Sequence, residues 1–297
     1  MDFQLTDDQV ALRKGVRELL EGRFGGPALR EAVAWDAAAP DPGAPALDRA
    51  LWRELGDAGF FALRVPEDEG GVGLGLPEAV LAFEEAGRAL LPGPLVATFL
   101  AARDVTGAAR GETVVTAVSG GLVPWLDAAD VVRGDATGAV PLRSVDPLTP
   151  LHRVPGDDGE AGGAPEADLL LAAEQLGSAG KTCETAVRYA RERTQFGQPI
   201  GAFQAVKHLC AQMLVRTEVA RAAVYAASVT GDTAEIAAAK LLADEAAVRG
   251  ARDCLQVHGG MGFTWEADVH LHLKRAWVRA GLGQPAARAE EELAAAL

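Results

Sequence analysis

Cysteine, positive charge and long apolar runs are all scarce in this sequence of 297 residues. Only Cys183, Cys210 and Cys254 carry thiols. They are odd in number, far apart along the chain and lack metal-ligand spacing, so no disulfide framework is readable. Each falls in an apolar segment that reads as helix, where a free thiol behaves as a small buried hydrophobe. Lys plus Arg number 28 against 42 Asp plus Glu, a net charge of −14. Such a chain is repelled by nucleic acid and by anionic membrane surfaces, and neither is an expected partner. A local basic cluster can still hold an anionic ligand. No apolar run reaches the length of a membrane span. Met1 to Gln9 show neither a basic n-region nor an apolar h-region, so no leader peptide is expected and the expected compartment is the cytoplasm.

The common catalytic signatures are also missing. There is no phosphate-loop Gly-Lys-Ser and no Gly-x-Ser-x-Gly elbow. Gly70-Gly71-Val72-Gly73-Leu74-Gly75 is no dinucleotide fingerprint, because it lies outside a strand–helix–strand unit and lacks the acidic residue downstream. His270 and His272 stand two apart and face different ways on a helix, so no metal site is expected.

What remains is helix-forming. Half the residues are apolar (49%), Tyr (2) and Phe (9) are few, and alanine is abundant. Thr6-Asp7-Asp8-Gln9 reads as a capping box opening a helix through Leu12, Val16, Leu19 and Leu20. An Ala/Pro/Asp-rich loop is expected from Ala37 to Pro45, a helix from Leu47 to Ala58, another opened by Pro77 and running through Leu90, and a short one from Leu95 to Ala102. From Asp104 the character changes. Thr113–Val118, Ala139–Leu142 and Leu151–Val154 read as strands, and Gly156 to Pro165 as a flexible connector. This stretch is too short for a closed barrel with a deep pocket. Helix signals then persist: Leu169 to Arg193, a turn at Gln198–Gly201, a helix carrying Phe203, Val206, Cys210, Met213 and Leu214 on one face, then Thr233 to His258 and Asp268 to Ala280. Four long helices with short joints predict an antiparallel bundle, closed by an acidic, Ala-rich tail. The expected divisions are 1–103, helical; 104–165, a shortened β middle with its connector; and 166–297, the bundle.

Two segments invite a ligand. In Arg191-Glu192-Arg193-Thr194-Gln195-Phe196-Gly197, arginines closing a helix can simply complement its dipole, yet Arg193 with Thr194 and Gln195 also offers a donor-rich edge suited to a pyrophosphate. In Gln256-Val257-His258-Gly259-Gly260-Met261-Gly262-Phe263, the glycines can be a plain helix stop or can permit close backbone approach to a ligand. Together, in this order and spacing, the segments resemble the Arg-x-x-Phe-Gly and Gln-x-x-Gly-Gly-x-Gly-Phe elements of acyl-CoA dehydrogenases. Trp52-Arg53-Glu54-Leu55-Gly56 and Val65-Pro66-Glu67-Asp68-Glu69-Gly70-Gly71-Val72-Gly73-Leu74 resemble that family's N-terminal helical domain.

The resemblance implies a mainly α, acyl-CoA dehydrogenase-like fold: an N-terminal helical domain, an abbreviated β middle domain and a C-terminal four-helix bundle. It implies FAD as cofactor and α,β-dehydrogenation of an acyl-CoA, a carboxylate taking the α-proton and the flavin taking hydride from the β-carbon. It makes Arg193, Gln195, Phe196, Gln256, Gly259 and Gly260 contacts to a flavin bound mainly by a neighbouring subunit, and it implies a separate electron-transfer acceptor. The departures are instructive. No flavin-facing Thr-Glu-Pro-x-x-Gly-Ser-type segment occurs between Asp104 and Pro165, and the usual catalytic glutamate aligns with Gly283. The alternative base position, at the start of the first bundle helix, aligns with Ala167, between Glu166 and Asp168. Glu166 is the candidate base if the connector shifts register; Glu174 is expected to face a polar interior or a partner. The losses imply division of labour with a second, unlike acyl-CoA dehydrogenase subunit in a dimer or tetramer. Leu91-Pro92-Gly93-Pro94-Leu95 and Gly262 to Leu271 resemble the short actinobacterial-type subunits of heteromeric, steroid-CoA enzymes, which implies a bulky, ring-bearing substrate. Two other readings stay open: a homomeric enzyme with a displaced base, and a non-catalytic structural or regulatory partner of the same fold.

Overall fold

The computed structural model describes residues 4–34, 47–156 and 164–295. Thr6 accepts from the Gln9 amide while Gln9 returns a bond to the Thr6 backbone, the reciprocal cap that opens α1 (Asp7–Arg23). A further helix that the sequence reading did not pick out, α2 (Gly26–Ala34), follows at once. The expected Ala37–Pro45 loop lies outside the described residues. Asp48 caps α3 (Arg49–Asp57), which turns Leu51, Trp52 and Leu55 inward. Pro77 sits in the first turn of α4 (Leu76–Ala89), and α5 (Leu95–Ala101) completes the N-terminal helices. Trp52, Phe61, Phe60, Phe83 and Phe99 pack one on the next in that order with ring centroids 4.8–5.4 Å apart, the aromatic centre of the largest core.

The middle region consists of three-residue strands. β1 (Val115–Ala117) pairs in parallel with β3 (Val131–Arg133), and β5 (Leu151–Arg153) lies between β2 (Leu122–Pro124) and β4 (Val140–Leu142) in an antiparallel sheet. Two small open sheets result among the described residues, in keeping with a section too short to close a barrel. β2 and β3 were not expected from the sequence. Pro165, which the sequence reading places at the end of the connector, instead opens the next helix; 157–163 lie outside the described residues.

The bundle is built on α6 (Pro165–Glu192), which leads through β6 (Thr194–Gln195) and β7 (Gln198–Pro199) into α7 (Gln204–Thr230), then α8 (Thr233–His258) and α9 (Val269–Ala280). The Ala-rich tail is helical as well, α10 (Ala286–Ala295). At 28 residues, α6 is about 42 Å long, with most of its first half buried. Small side chains fill the seam between helices, Ala172, Ala173, Ala220, Ala243 and Ala247 among them. α4 crosses α6 with no side chain between them: a Cβ on Gly177 would lie 1.9 Å from the Glu84 carbonyl oxygen, and one on Gly87 would lie 2.0 Å from that of Glu174. Only glycine at both positions lets the backbones meet.

The three cysteines, scattered in sequence, join one layer of the bundle, with Cys183 and Cys254 buried and Cys210 partly so. Burial pushes the Cys183 thiol up to about 11 and that of Cys254 up to about 12, so both stay protonated and unreactive near neutrality. Among the described residues no helix is long and apolar enough to cross a membrane.

Candidate functional site

The first candidate site lies where α6 and α8 end. Arg193 closes α6, its N–H donating to the Tyr189 carbonyl, and the chain then folds back as a hairpin pairing Thr194 with Pro199 and Gln195 with Gln198. The hairpin turn therefore falls at Phe196-Gly197, both at positive φ (52° and 79°), and a 3-10 turn at Ile200–Ala202 follows, overlapping the turn expected at Gln198–Gly201. Two left-handed residues make the tight hairpin turn whose twist suits the flanking strands. The cost at Phe196 is a ring pushed into solvent, 91% exposed and edge-on to Phe203. α8 stops at His258, Gly259 takes φ 59°, and a 3-10 turn runs from Gly259 to Phe263. The ring of Tyr189, one turn before Arg193, stacks on that of His258 at 4.1 Å. The two bends thus share one end of the bundle.

Every residue from 191 to 199 is exposed, as are Gln256, Gly259 and Gly260. A Cβ on Gly259 or Gly260 would meet nothing within 4 Å, so the backbone there is open to approach from outside. Met261, Phe263 and Trp265 are exposed beside it, at 44%, 73% and 58%. An exposed apolar surface rimmed by free donors marks a contact region. Its residue types fit a dinucleotide: a guanidinium and amide donors for pyrophosphate, bare backbone for close approach, and an aromatic ring for a planar face.

The second candidate site is a pocket of about 410 Å³ walled by α5, the first half of α6, the end of α9 and the middle sheets. Leu95, Val96, Leu100, Leu171, Val278 and Leu282 supply apolar surface. Trp125, 2% exposed and at φ 60°, closes the side facing the sheets. Glu166 lines this pocket, but both its oxygens accept from Arg64, at 2.7 and 3.1 Å. Asp168, the other neighbour of Ala167, is turned away by the rotation of the helix and is buried. It accepts from the Gln284 N–H at 3.0 Å, and burial raises its carboxyl above the ordinary aspartate range. Gly283 sits at φ 76°, and a Cβ there would lie 1.8 Å from Asp168 Oδ1. Position 283, where the resemblance places a base, is thus not merely a glycine; the Asp168 carboxylate already occupies the side-chain space.

Deeper in, Glu174 and Arg279, 4% and 3% exposed, form an ion pair at 2.6 Å. The expected polar interior is the environment that Glu174 finds, and desolvation raises its carboxyl while it depresses Arg279 to about 10. One turn earlier on α9, Arg275 pairs with Asp146 and donates to the carbonyls of Leu91 (3.1 Å) and Leu148 (3.4 Å), tying the bundle to the middle region and the N-terminal helices. Sequence reading missed Arg275, Arg279 and Asp146. Two arginines four apart inside an otherwise apolar helix face were the available signal, since such spacing puts both on one side.

Residues 6–108 match the family model for the acyl-CoA dehydrogenase N-terminal domain, and residues 167–283 match that for the acyl-CoA dehydrogenase C-terminal domain. Acyl-CoA dehydrogenase IpdE2 of Mycobacterium tuberculosis is 35% identical over 297 aligned residues, covering 91% of each chain. The chain belongs to the acyl-CoA dehydrogenase family. It is thus an oxidoreductase of the acyl-CoA dehydrogenase kind. The architecture of this acyl-CoA dehydrogenase agrees with solved structures at lower identity. The ChsE4–ChsE5 complex from Mycobacterium tuberculosis superimposes with a TM-score of 0.79 at 23% identity, over 99% of this chain and 98% of that one. A Tcur3481–Tcur3483 steroid ACAD variant gives 0.79 at 22% identity, over 97% of each chain.

Proposed function

We propose that this acyl-CoA dehydrogenase is one subunit of a flavin-dependent, heteromeric assembly that introduces an α,β double bond into a bulky, ring-bearing acyl-CoA. The observation that carries the reading is Asp168 packed against Gly283: the pocket has acyl-lining walls but no carboxylate at either family base position. Of the pocket-lining carboxylates, Glu166 is held by Arg64 and Glu174 by Arg279. An unlike subunit with its own base and its own flavin cradle makes good both lacks.

The relatives support this. The ChsE4–ChsE5 structure is a complex of two differently named chains, and the Tcur3481–Tcur3483 enzyme, also a pair, is a steroid ACAD. FAD, when bound, accepts the hydride of the dehydrogenation. On this chain Arg193 and Gln195 would hold its phosphates, Gly259 and Gly260 would let it approach the backbone, and Phe196 and Gln256 would flank it, the cofactor belonging mainly to an adjoining protomer. The hydrocarbon walls formed by Leu95, Leu171 and Val278 would exclude water from the acyl group, and a separate electron-transfer acceptor would be the partner of the loaded assembly.

The test is a visible absorption spectrum of the chain purified alone and then with its co-purifying subunit. Flavin bound only by the pair is the expected result; stoichiometric FAD and full turnover by the isolated chain would defeat the proposal. Glu166→Gln sharpens it. The variant should retain turnover in the pair, whereas abolished turnover would indicate a homomeric enzyme with a displaced base.

A further inference from the structure

A pocket of about 470 Å³ lies against the second half of α6, between α1, the end of α4 and the start of α9. It shares no residue with the pocket between α5 and α9. Leu20, Phe24, Leu29, Leu90 and Val269, all buried, line it with hydrocarbon. Its polar walls differ. On the side of α1 and α4 the charges are spent on one another: Arg17 donates to Glu85 at 2.7 and 2.8 Å, and Arg88 to Glu184 at 2.6 and 3.0 Å. On α6, Lys181, Thr185, Arg188 and Tyr189 stand at i, i+4, i+7 and i+8, one face of the helix. None of their side-chain polar groups has a hydrogen bond or ion pair among the described residues; Tyr189 makes only its ring stack on His258. Of the carboxylates at the pocket, Asp268 faces Arg30 at 3.7 Å. Among the unpaired charges that line it, Glu21, Arg188 and Glu266 are exposed, and only Lys181 is half-buried.

We propose that this pocket binds a small organic anion, its carboxylate or phosphate head received by Lys181 with Thr185 and Arg188 donating beside it, and its apolar body laid on Leu20, Phe24 and Leu29. The sign of the head follows from depth. The exposed carboxylates at the rim are screened by water, whereas a half-withdrawn ammonium without a counter-charge gains from an anion that joins it. The floor agrees. Burial, and after it Lys181, hold the His272 imidazole there down to about 3, so the surroundings oppose a further positive charge. The body follows from the hydrocarbon lining, and the volume is that of a small-molecule site. The pocket uses none of Arg193, Gln195, Phe196, Gln256, Gly259 and Gly260, so it is distinct from the proposed cofactor edge as well as from the acyl pocket. Its end wall is the stacked pair Tyr189 and His258, which joins α6 to α8 just before their two bends.

The experiment titrates the full chain, labelled in its tyrosine rings, with four probes of one chain length: hexyl phosphate, hexanoate, hexanol and hexylamine. Affinity is read from the NMR shift of the Tyr189 ring, one of only two tyrosines in the sequence and no part of the acyl pocket. At least one of the two anions should bind about tenfold tighter than the alcohol, the usual scale of a hydrogen bond to a charged donor, and tighter still than the amine. Whichever anion binds tighter identifies the head group. Lys181→Met breaks no side-chain bond of the fold, so its unfolding midpoint should stay in place while the anion's affinity falls about tenfold. Arg188→Met, at the rim, should lower it less. Absence of any Tyr189 shift, equal binding of anion and alcohol, tightest binding of the amine, or an anion affinity that Lys181→Met leaves unchanged would each overturn the proposal. None of these outcomes touches the reading of the chain as a dehydrogenase subunit, whose own test is its flavin spectrum.

Discussion

Along the single helix α6, polar groups are treated in two opposite ways. In its first half Asp168, Glu174, Gln175 and Ser178 are all buried, and each is bonded: to the Gln284 amide, to Arg279, to Asp244 and the Ala276 carbonyl, and to His272. From its last turn onward, residues 191 to 199 are all exposed, and Gln195 finds only its neighbour's carbonyl. Most of the first set of groups close on one another and hold the molecule together, Gln175 Oε1 and Arg279 Nη1 alone among them lacking a partner within the described residues. The second is left exposed. On the proposed reading, stability and cofactor contact fall at different ends of one element, and each end can be damaged without the other.

Arg275→Ala should produce the largest effect. It strands Asp146 as an unpaired buried charge, and about 3–5 kcal/mol of stability should be lost, read as a fall in the urea midpoint. Arg193→Ala should do the reverse. Its unfolding midpoint should move by no more than about 0.5 kcal/mol, while flavin retained by the assembly falls about 10- to 100-fold on dialysis, the scale of losing a charge-assisted bond. Loss of fold in the second variant, or loss of flavin alone in the first, would erase the distinction between the ends.

The pH dependence probes the closed end. Burial, with Lys181, Arg279, Arg275 and Arg88 nearby, depresses His272 from 6.5 to about 3. Between those values the unfolded chain binds a proton that the native chain refuses, so stability rises with pH and is lost as pH falls from about 6.5 toward 3. The contribution is a slope of about 1.4 kcal/mol per pH unit. His272→Gln should remove that slope from urea midpoints measured across the range. Smallest of all, Thr6→Ala removes a cap remote from both ends and should cost about 1 kcal/mol; a change in flavin retention there would show that the open end is sensitive to general destabilisation.

The helices were legible because their signals are local. Thr6 and Gln9 announce a cap, and the run from Thr233 to His258 is bounded by Asp232 before it and Gly259 after it, as observed. β2 and β3 were not, although β1, β4 and β5, which were, are no longer. The hairpin turn was not anticipated because Phe196 at positive φ is a choice that propensity argues against, and only the pairing of Gln195 with Gln198 reveals it. At the open end the Arg-x-x-Phe-Gly and Gly-Gly elements could be singled out from sequence because they are contiguous. The pairs of the closed end, Glu174 with Arg279 and Asp146 with Arg275, join residues more than a hundred positions apart. No spacing rule reaches across that distance; the fold alone brings them together.

The glycine crossing of α4 and α6 bears on how this enzyme can discriminate. Because backbone rests on backbone at Gly87 and Gly177, no rotamer is available there to take up slack. The helix that lines the pocket between α5 and α9 is clamped against the N-terminal helices at its midpoint, so that wall behaves as a rigid gauge and not as a cushion. Compounds that are a little too wide should be refused at entry and not accommodated with reduced turnover, and broadening the substrate range by evolution or design would have to start from the walls contributed by α5 and α9.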